Sequence, residues 1–379
     1  MKLRNPRRNV MDALFLYDVN DIPSNSKVLL YGAGDGGSAF KRILEAKRKD
    51  VEIICFVDDC RTGKRDGLRI VRPDELGSFR NTYDRILITS AYWREMRETL
   101  DRLHIDTYET IHPFLFYEYM IFTDAQVKKY FSRIKKAEAV FDSADDRRLY
   151  RYVIDNRRMV PDDSLRGYFT SRPHGKDAQY LEYVNRNTIR VIIEGGVLEG
   201  ANTLEFARLL PKDGFLYGFE PLYGSLENGC KKRLQELTNV KVYPIALWEQ
   251  KGKLPFYENA DNRDGSRVVD CDYWIPGVKT VDAISIDEFA QENGISRVDF
   301  IKLDVEGSEL RVLRGAAETL IRHRPQVAVS IYHTKEDLFE IPLFLKSLLK
   351  RYRYKLGHYS SAFWDTVLYA LPEEVLSKG

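Results

Sequence analysis

Short apolar runs alternate with amphipathic segments along two separate stretches of the chain. In the first stretch, up to about residue 125, apolar runs at 27–31, 51–57 and 83–89 predict buried strands with helical patterns between them. Residues 126–189 are more highly charged and space their apolar side chains by three and four, which predicts a helical connector. The alternation of strands and helices resumes at residue 190.

Strands that alternate with helices form parallel sheets covered on both faces, so we expect an α/β chain. The predicted domains are a smaller Rossmann-like domain at 1–125, a helical connector at 126–189 and a larger doubly wound domain at 190–379. The larger domain is predicted to contain strands at 191–194, 215–219, 240–245, 298–303, 326–332, 352–356 and 366–370. Further predicted elements are helices at 178–183, 222–237 and 309–323 and a hairpin at 252–257. The short link between the last two strands predicts an antiparallel final hairpin.

The turn after the first strand of the larger domain is rich in glycine. It runs from Glu194 through Gly196 to Gly200, and a helical pattern begins near Thr203. Glycine permits positive φ and a close approach of the backbone to a ligand, and the free N–H groups at a helix start favour an anionic group. Glu194 is placed to receive a cation. A site for both a carboxylate and an ammonium suits an amino-acid-like ligand.

Polar side chains also follow later strands of this domain. Glu220 follows the second strand, Asp304 the fourth and His333 the fifth. Ligands of such sheets bind beyond the carboxyl ends of the strands, so these residues are expected to converge with Glu194. An acid in the position of Glu220 accepts hydrogen bonds from ribose hydroxyls.

The segments 194–200, 219–221, 301–310 and 331–333 together resemble the FkbM family of S-adenosylmethionine-dependent methyltransferases. The similarity runs from about residue 176 to 371, and the segment from Lys302 to Glu309 is its most specific part. The resemblance implies a class I methyltransferase-like fold, S-adenosylmethionine as the cofactor, and methylation of a hydroxyl on a sugar, polyketide or glycan. The turn departs from the family's usual Asp-x-Gly-Ala-Asn pattern at Glu194 and at 197–198.

The same resemblance implies roles for particular residues. Glu194 and the turn from Gly196 to Gly200 are expected to hold the methionine part of the cofactor, and Glu220 the ribose. The expected cofactor-binding set is Glu194, Gly196, Gly200, Thr203, Glu220 and Ala246.

A hydroxyl acceptor must lose its proton to a base or with the help of a metal ion. His333 is the first candidate base and His358, near the final hairpin, the second; either is alternatively a structural histidine. Asp304 is expected to face the reaction site, where it could bind the acceptor or a divalent cation. Glu306 could join it or hydrogen-bond the following helix. No metal-ligand set is assigned, and a divalent cation is a secondary cofactor candidate.

Aromatic side chains occur in two segments near the expected site. The loop 359–365 could stack on a sugar or cover the edge of the core. Gln179 or Tyr180 could cover a ligand, although plain packing is the favoured interpretation.

The first domain carries its own glycine motif. Gly32, Gly34 and Gly37 complete G-x-G-x-x-G between a strand and a helix, and Asp58 lies at the end of the next strand, as expected of a ribose-binding acid. The segments 31–34, 56–59 and 71–76 resemble the N-terminal nucleotide-sugar-binding domains of bacterial glycan-modifying enzymes. The domain either binds a nucleotide or nucleotide sugar, or is kept for packing or assembly.

Two other functions remain open at this point. One is NAD(P)-dependent sugar oxidoreduction or an epimerase-like activity through the first domain, although no Tyr-x-x-x-Lys pair accompanies its glycine motif. The other is a non-catalytic binding or assembly protein.

Composition adds limits on partners and location. A formal charge of +2 gives no reason to expect nucleic acid, and the chain has no apolar run of membrane-spanning length. The cysteines have no C-x-x-C spacing and are expected to be reduced thiols in a cytoplasmic protein: Cys55, Cys60, Cys230 and Cys271. The expected partner is a small-molecule or glycan acceptor, and a homo-oligomer is compatible with the sequence.

Overall fold

The computed structural model describes residues 15–159, 164–171, 179–222, 232, 234–259, 265–269 and 278–376. The chain divides into two compact units. The first comprises Met1–Gln126 and Asp155–Asp162, and the second comprises Val127–Ile154 and Asp163–Gly379. Most of the predicted connector therefore belongs to the second unit.

The first unit is a mainly parallel sheet with helices between its strands. Within the described residues its strand order is β1-β7-β6-β2-β3-β5-β4, and only the β4–β5 pair is antiparallel. The strands are β1 (Phe15–Leu16), β2 (Lys27–Tyr31), β3 (Glu52–Val57), β4 (Gly63–Arg65), β5 (Leu68–Val71), β6 (Arg85–Ile88) and β7 (Tyr108–Ile111). The α-helices are α1 (Asp35–Lys47) and α2 (Trp93–Arg102), and 3-10 turns lie at Val19–Asp21, Pro73–Phe79 and Pro113–Leu115.

The second unit contains two sheets in its described part, one of seven strands and one of four. Its strands are β8 (Val191–Gly195), β9 (Phe215–Phe219), β10 (Val240–Tyr243), β11 (Ala246–Leu247), β12 (Gly252–Tyr257), β13 (Arg267–Val268), β14 (Val278–Ile284), β15 (Phe300–Leu303), β16 (Gln326–Ser330), β17 (Tyr352–His358) and β18 (Thr366–Pro372). The larger sheet has the order β10-β9-β8-β15-β16-β18-β17. β18 pairs antiparallel with both β16 and β17, so the predicted final hairpin is confirmed.

Helices precede, separate and follow these strands along the chain. They are α3 (Asp124–Glu138), α4 (Ala144–Asn156), α5 (Ser164–Thr170), α6 (Ala201–Leu209), α7 (Ile286–Glu292), α8 (Glu309–Arg314), α9 (Ala317–His323), α10 (Asp337–Leu348) and α11 (Glu373–Leu376), with a 3-10 turn at Arg186–Thr188. Every residue of β15, β16 and β18 is buried, as expected for sheet strands covered on both faces. The predicted α/β fold class is confirmed. In the described part of the chain no helix is long and apolar enough to cross a bilayer.

A second, smaller sheet was not predicted. β11, β14, β12 and β13 form it in that order, with β12 antiparallel to β14 and β13. The predicted hairpin at 252–257 is therefore wrong, because this segment is the single strand β12. Its antiparallel partners, β13 and β14, begin only at Arg267 and Val278, so the alternation within 252–257 could not reveal them.

Two predicted helices also differ. Residues 179–183 form turns, so the helix predicted at 178–183 is wrong over its described part, and most of the helix predicted at 222–237 lies outside the described residues. Cys230 and Cys271 lie outside them as well, whereas Cys55 is buried and Cys60 exposed as free thiols.

The helix predicted at 309–323 is broken into α8 and α9 at Gly315. A Cβ on Gly315 would lie 2.4 Å from the carbonyl oxygen of Trp248. The Gly315 carbonyl accepts the N–H of Asp287 at 2.9 Å, and the Asp287 carboxylate accepts N–H groups of Glu318 and Thr319 at the start of α9. The break lets the segment after β11 and the start of α7 pack against these helices.

We expect Gly315→Ala to lower the free energy of unfolding of the second unit by about 1–3 kcal/mol, because the added methyl meets rigid backbone. Gly252→Ala is the matched control, since a Cβ there has no neighbour within 4 Å. Urea unfolding followed by fluorescence compares the two variants. Equal unfolding midpoints would contradict the proposed cause of the helix break.

Candidate active site

A buried lysine lies beneath the glycine turn. β8 and β15 are parallel neighbours in which Glu194 is paired with Lys302. Lys302 Nζ lies 3.7 Å from Glu194 Oε1 and donates to the carbonyls of Gly196 at 2.6 Å and Gly195 at 3.3 Å. Both charged side chains are enclosed. The cation that Glu194 receives in this structure is therefore Lys302.

Burial raises the pKa of Glu194, and Lys302 and Thr203 offset part of that rise. Thr203 lies on α6 and is fully buried. Glu194 and Thr203 thus lie under the turn, in a position that supports it.

The turn itself contacts the loop that follows β15. Gly196 has φ of +79°, and a Cβ there would lie 1.8 Å from the Asp304 carbonyl oxygen, so only glycine fits. Asp304 in turn donates its N–H to the Gly195 carbonyl at 3.1 Å. Glu220 fixes the other side of the turn, because its carboxylate accepts the N–H of Leu198 at 3.0 Å.

Two tyrosine hydroxyls orient the Asp304 carboxylate. Tyr180 donates to Oδ2 at 2.7 Å and Tyr332 donates to Oδ1 at 3.2 Å. Burial alone would raise the pKa of Asp304, but Lys302 and His333 outweigh it and hold the pKa below its ordinary value of 3.8. Asp304 is thus a fixed, ionised carboxylate whose side chain is still 22% exposed.

His333 lies among three carboxylates. Its Nδ1 is 3.0 Å from Glu309 Oε1, and its Nε2 is 3.5 Å from both Asp304 Oδ1 and Glu306 Oε2. Burial by itself lowers the pKa of His333, but Glu309 and Glu306 outweigh it and raise the pKa well above 6.5. The raised pKa favours the charged imidazole, which disfavours His333 as a base.

Glu309 holds this arrangement together. It is fully buried at the start of α8 and accepts the N–H groups of Val305 at 2.8 Å and Gly307 at 3.1 Å. Burial raises the pKa of the neighbouring Glu306 to about 7, against the opposing effect of His333. No role is predicted for Glu309 from the sequence, although an acid in the first turn of a helix is a recognisable signal for bonding to free N–H groups.

The structure places the remaining predicted residues elsewhere. His358 hydrogen-bonds through Nδ1 to Thr366 Oγ1 at 3.0 Å. It lies on β17, two strands from β16, which is about 10 Å at the usual spacing. Ala246 is buried in an apolar cluster with Leu222 and residues of the small sheet. Gly200 is the left-handed N-cap of α6, with φ of +83° and no side-chain capping bond.

The glycine motif of the first unit forms a tight loop. Gly34 is the N-cap of α1, and a Cβ on Gly37 would lie 1.9 Å from the Gly32 carbonyl oxygen. The Asp58 carboxylate accepts the N–H groups of Ala33, Cys60 and Arg61 at 2.8–2.9 Å. Asp58 therefore holds the loop to the segment after β3. Ligand binding at these residues stays a prediction.

Comparison with known proteins identifies the second unit. Residues 195–356 match the family model described as methyltransferase FkbM domain. Residues 195–356 therefore carry an FkbM methyltransferase domain. The protein is an S-adenosylmethionine-dependent methyltransferase, as the family resemblance predicted. The hypothesis of a non-catalytic binding protein is therefore wrong. Residues 24–111 match a second model, described as C2185-like, N-terminal.

Individual relatives agree with this assignment. This chain is 25% identical over 173 residues to the 2-O-methyltransferase NoeI of Sinorhizobium fredii, and the similarity covers 42% of this chain and 69% of that protein. A methyltransferase FkbM structure from Methylobacillus flagellatus shares the fold, with a TM-score of 0.63 and 17% identity over 96% of this chain and 97% of that one.

The residues of the second unit fit S-adenosylmethionine. The Gly196–Gly200 turn leads into α6, whose first N–H groups suit the methionine carboxylate. The Glu220 carboxylate already bonds to the amides of Leu198 and Leu222, but carboxylate oxygens each accept more than one hydrogen bond. It therefore remains the candidate for the ribose hydroxyls.

We expect Lys302→Met to lower the free energy of unfolding by about 3–5 kcal/mol, because it leaves the buried Glu194 carboxylate without its cation. Folding raises the pKa of Glu194, so the penalty is largest at high pH and shrinks as pH falls and Glu194 is protonated. Urea unfolding between pH 5 and 8 measures this dependence (roughly the usual range of maximal stability).

Two controls complete that experiment. Adding Glu194→Gln to Lys302→Met should recover part of the loss, because no buried charge remains. Lys253→Met removes an exposed ion pair with Asp282 and should cost less than about 1 kcal/mol at any pH. A Lys302→Met penalty that matches this exposed pair would show that the buried pair does not support the turn.

Proposed function

We propose that this enzyme transfers a methyl group to a hydroxyl of a sugar or glycan-related acceptor. The observation that carries the proposal is the Asp304 carboxylate, oriented by Tyr180 and Tyr332 and partly exposed at the strand ends. The name of the relative from Sinorhizobium fredii, a 2-O-methyltransferase, supports an oxygen acceptor.

S-adenosylmethionine supplies an electrophilic methyl group on a sulfonium. The acceptor oxygen forms the new bond to carbon, the bond to sulfur breaks with its electron pair kept by sulfur, and the hydroxyl proton must leave. Asp304 is proposed to accept a hydrogen bond from the hydroxyl and to receive its proton. The two tyrosine hydroxyls fix the carboxylate before the acceptor arrives, which reduces the entropy lost in reaching the reactive geometry.

The aromatic loop beside this carboxylate suits a sugar. The rings of Trp364 and Tyr332 are nearly perpendicular, with centroids 6.3 Å apart. The ring of Phe363 packs against that of Trp364, with centroids 4.8 Å apart. Asp365 accepts a bond from Gln179 at 3.4 Å. Aromatic faces next to hydrogen-bonding groups are typical of sites that bind a polyol ring.

The test is to incubate the purified protein with S-adenosylmethionine and panels of sugars, nucleotide sugars and glycans. We expect release of S-adenosylhomocysteine together with an acceptor heavier by one CH₂, detected by mass spectrometry. Methylation of amine or carboxyl acceptors alone, with no hydroxyl product, would contradict the proposal.

We expect Asp304→Asn to lower kcat by about 10²-fold or more, because an amide cannot take the hydroxyl proton. The affinity for S-adenosylmethionine, measured by isothermal titration, should change little. Asp282→Asn is the matched control, because Asp282 is exposed on β14 and pairs with Lys253. Unchanged kcat in Asp304→Asn would remove Asp304 from the proposed role.

A further inference from the structure

The surroundings of His333 are unbalanced in charge. Asp304, Glu306 and Glu309 each place a carboxylate oxygen within 3.5 Å of its ring nitrogens. Carboxylates gathered in a buried cluster are costly unless they are paired, protonated or coordinated to a metal ion.

His333 is also unsatisfied as a hydrogen-bonding group. The residue is only 7% exposed, and neither ring nitrogen makes a well-aligned hydrogen bond within the described residues, although Nδ1 lies 3.0 Å from Glu309 Oε1. Buried polar atoms are nearly always bonded to protein, water or an ion. Nε2 faces the oxygens of Asp304 and Glu306 at equal distances of 3.5 Å. The ring is therefore aimed between two carboxylates.

The oxygens of Glu309 already accept hydrogen bonds from the backbone. They accept the N–H groups of Val305 and Gly307, and the side chain is fully buried. Ligand atoms of Asp304, Glu309 and His333 all lie within 4.8 Å of one another. Because Glu309 faces Nδ1, it suits the outer carboxylate that orients a metal-binding histidine, whereas Nε2 faces the ligand position.

We infer that Asp304, Glu306 and His333 Nε2 bind one divalent cation of the Mg²⁺ or Mn²⁺ class, with Glu309 orienting His333 as a positioning residue. Two carboxylates and one imidazole form a mainly oxygen ligand set, which favours these ions over thiolate-preferring ones. Ligands about 2.1 Å from a metal and at right angles stand about 3 Å apart, so the 3.5 Å separations of His333 Nε2 from Asp304 Oδ1 and from Glu306 Oε2 each need only a small inward shift.

The inference deepens the proposed function and rests on it for its role. A divalent cation between Asp304 and Glu306 would place positive charge beside the acceptor hydroxyl and favour loss of its proton. It would also leave His333 neutral as a ligand and balance the surrounding carboxylates. Three protein ligands leave other coordination positions open.

The test uses Mn²⁺ alone, with the full chain stripped by a chelator and no acceptor present. Electron paramagnetic resonance of free Mn²⁺ and isothermal titration give stoichiometry and affinity. We expect one Mn²⁺ per chain, with affinity lowered at least about tenfold by His333→Asn and Glu306→Gln, and by about 10–100-fold in Glu309→Gln through loss of orientation. Circular dichroism and thermal unfolding check that each variant is folded.

Matched controls lie on the same unit. His323→Asn on α9 and Glu318→Gln, which is 79% exposed, should bind Mn²⁺ as the unaltered protein does. Absence of binding at millimolar Mn²⁺ overturns the inference, as does Mn²⁺ binding that survives both His333→Asn and Glu306→Gln. Glu306→Gln keeps the test decisive if the histidine variant does not fold, because the Glu306 side chain is 30% exposed.

Methylation assays then separate the two proposals. Hydroxyl methylation that persists at full rate in the chelator-stripped protein would leave the proposed function standing and remove the cation from it. Mn²⁺ binding at these residues without any hydroxyl product would leave the metal site standing and remove the proposed acceptor.

Discussion

The buried contact between Lys302 and the glycine turn is the constraint on which the second unit's site depends. One ammonium group bonds to the carbonyls of Gly195 and Gly196 and faces Glu194 across two adjacent strands. The same turn fits against the Asp304 backbone only because Gly196 has no side chain. The glycine turn and Asp304, the proposed proton acceptor, therefore have a shared support through backbone contacts.

The sequence predicted the strands well where they contain uninterrupted apolar runs, as in β2 and β3. It also placed Asp304 and His333 together, because the ends of parallel strands share one edge. It could not predict the Lys302–Glu194 pair, which depends on β15 lying beside β8 in register. It gave Tyr180 no definite role, since its contact with Asp304 joins residues 124 positions apart. The helix break at Gly315 depends on a similarly distant contact with Trp248.

The two glycine motifs show how similar sequences serve different local networks. In the first unit the acid after the second strand of the motif, Asp58, accepts N–H groups of the loop and of its own turn. In the second unit the corresponding acid, Glu220, bonds to the turn at Leu198 and to Leu222. In both units the carboxylate accepts hydrogen bonds from backbone N–H groups. The spacing of a strand-end acid from a glycine motif therefore does not by itself predict that the acid binds ribose.

The contact from Tyr180 has a consequence for the limits of the catalytic fragment. The region that matches the family model begins at residue 195 and ends at 356, whereas Tyr180 lies before it and β18, which pairs with β16, lies after it. Tyr180 packs in one apolar cluster with Tyr359, Val367 and Tyr369. A protein trimmed to residues 195–356 would thus keep the segment 302–309. It would lose Tyr180 and β18, which support the surroundings of the Asp304 carboxylate from before and after the matched region. The smallest autonomous enzyme is larger than the segment by which its family is recognised.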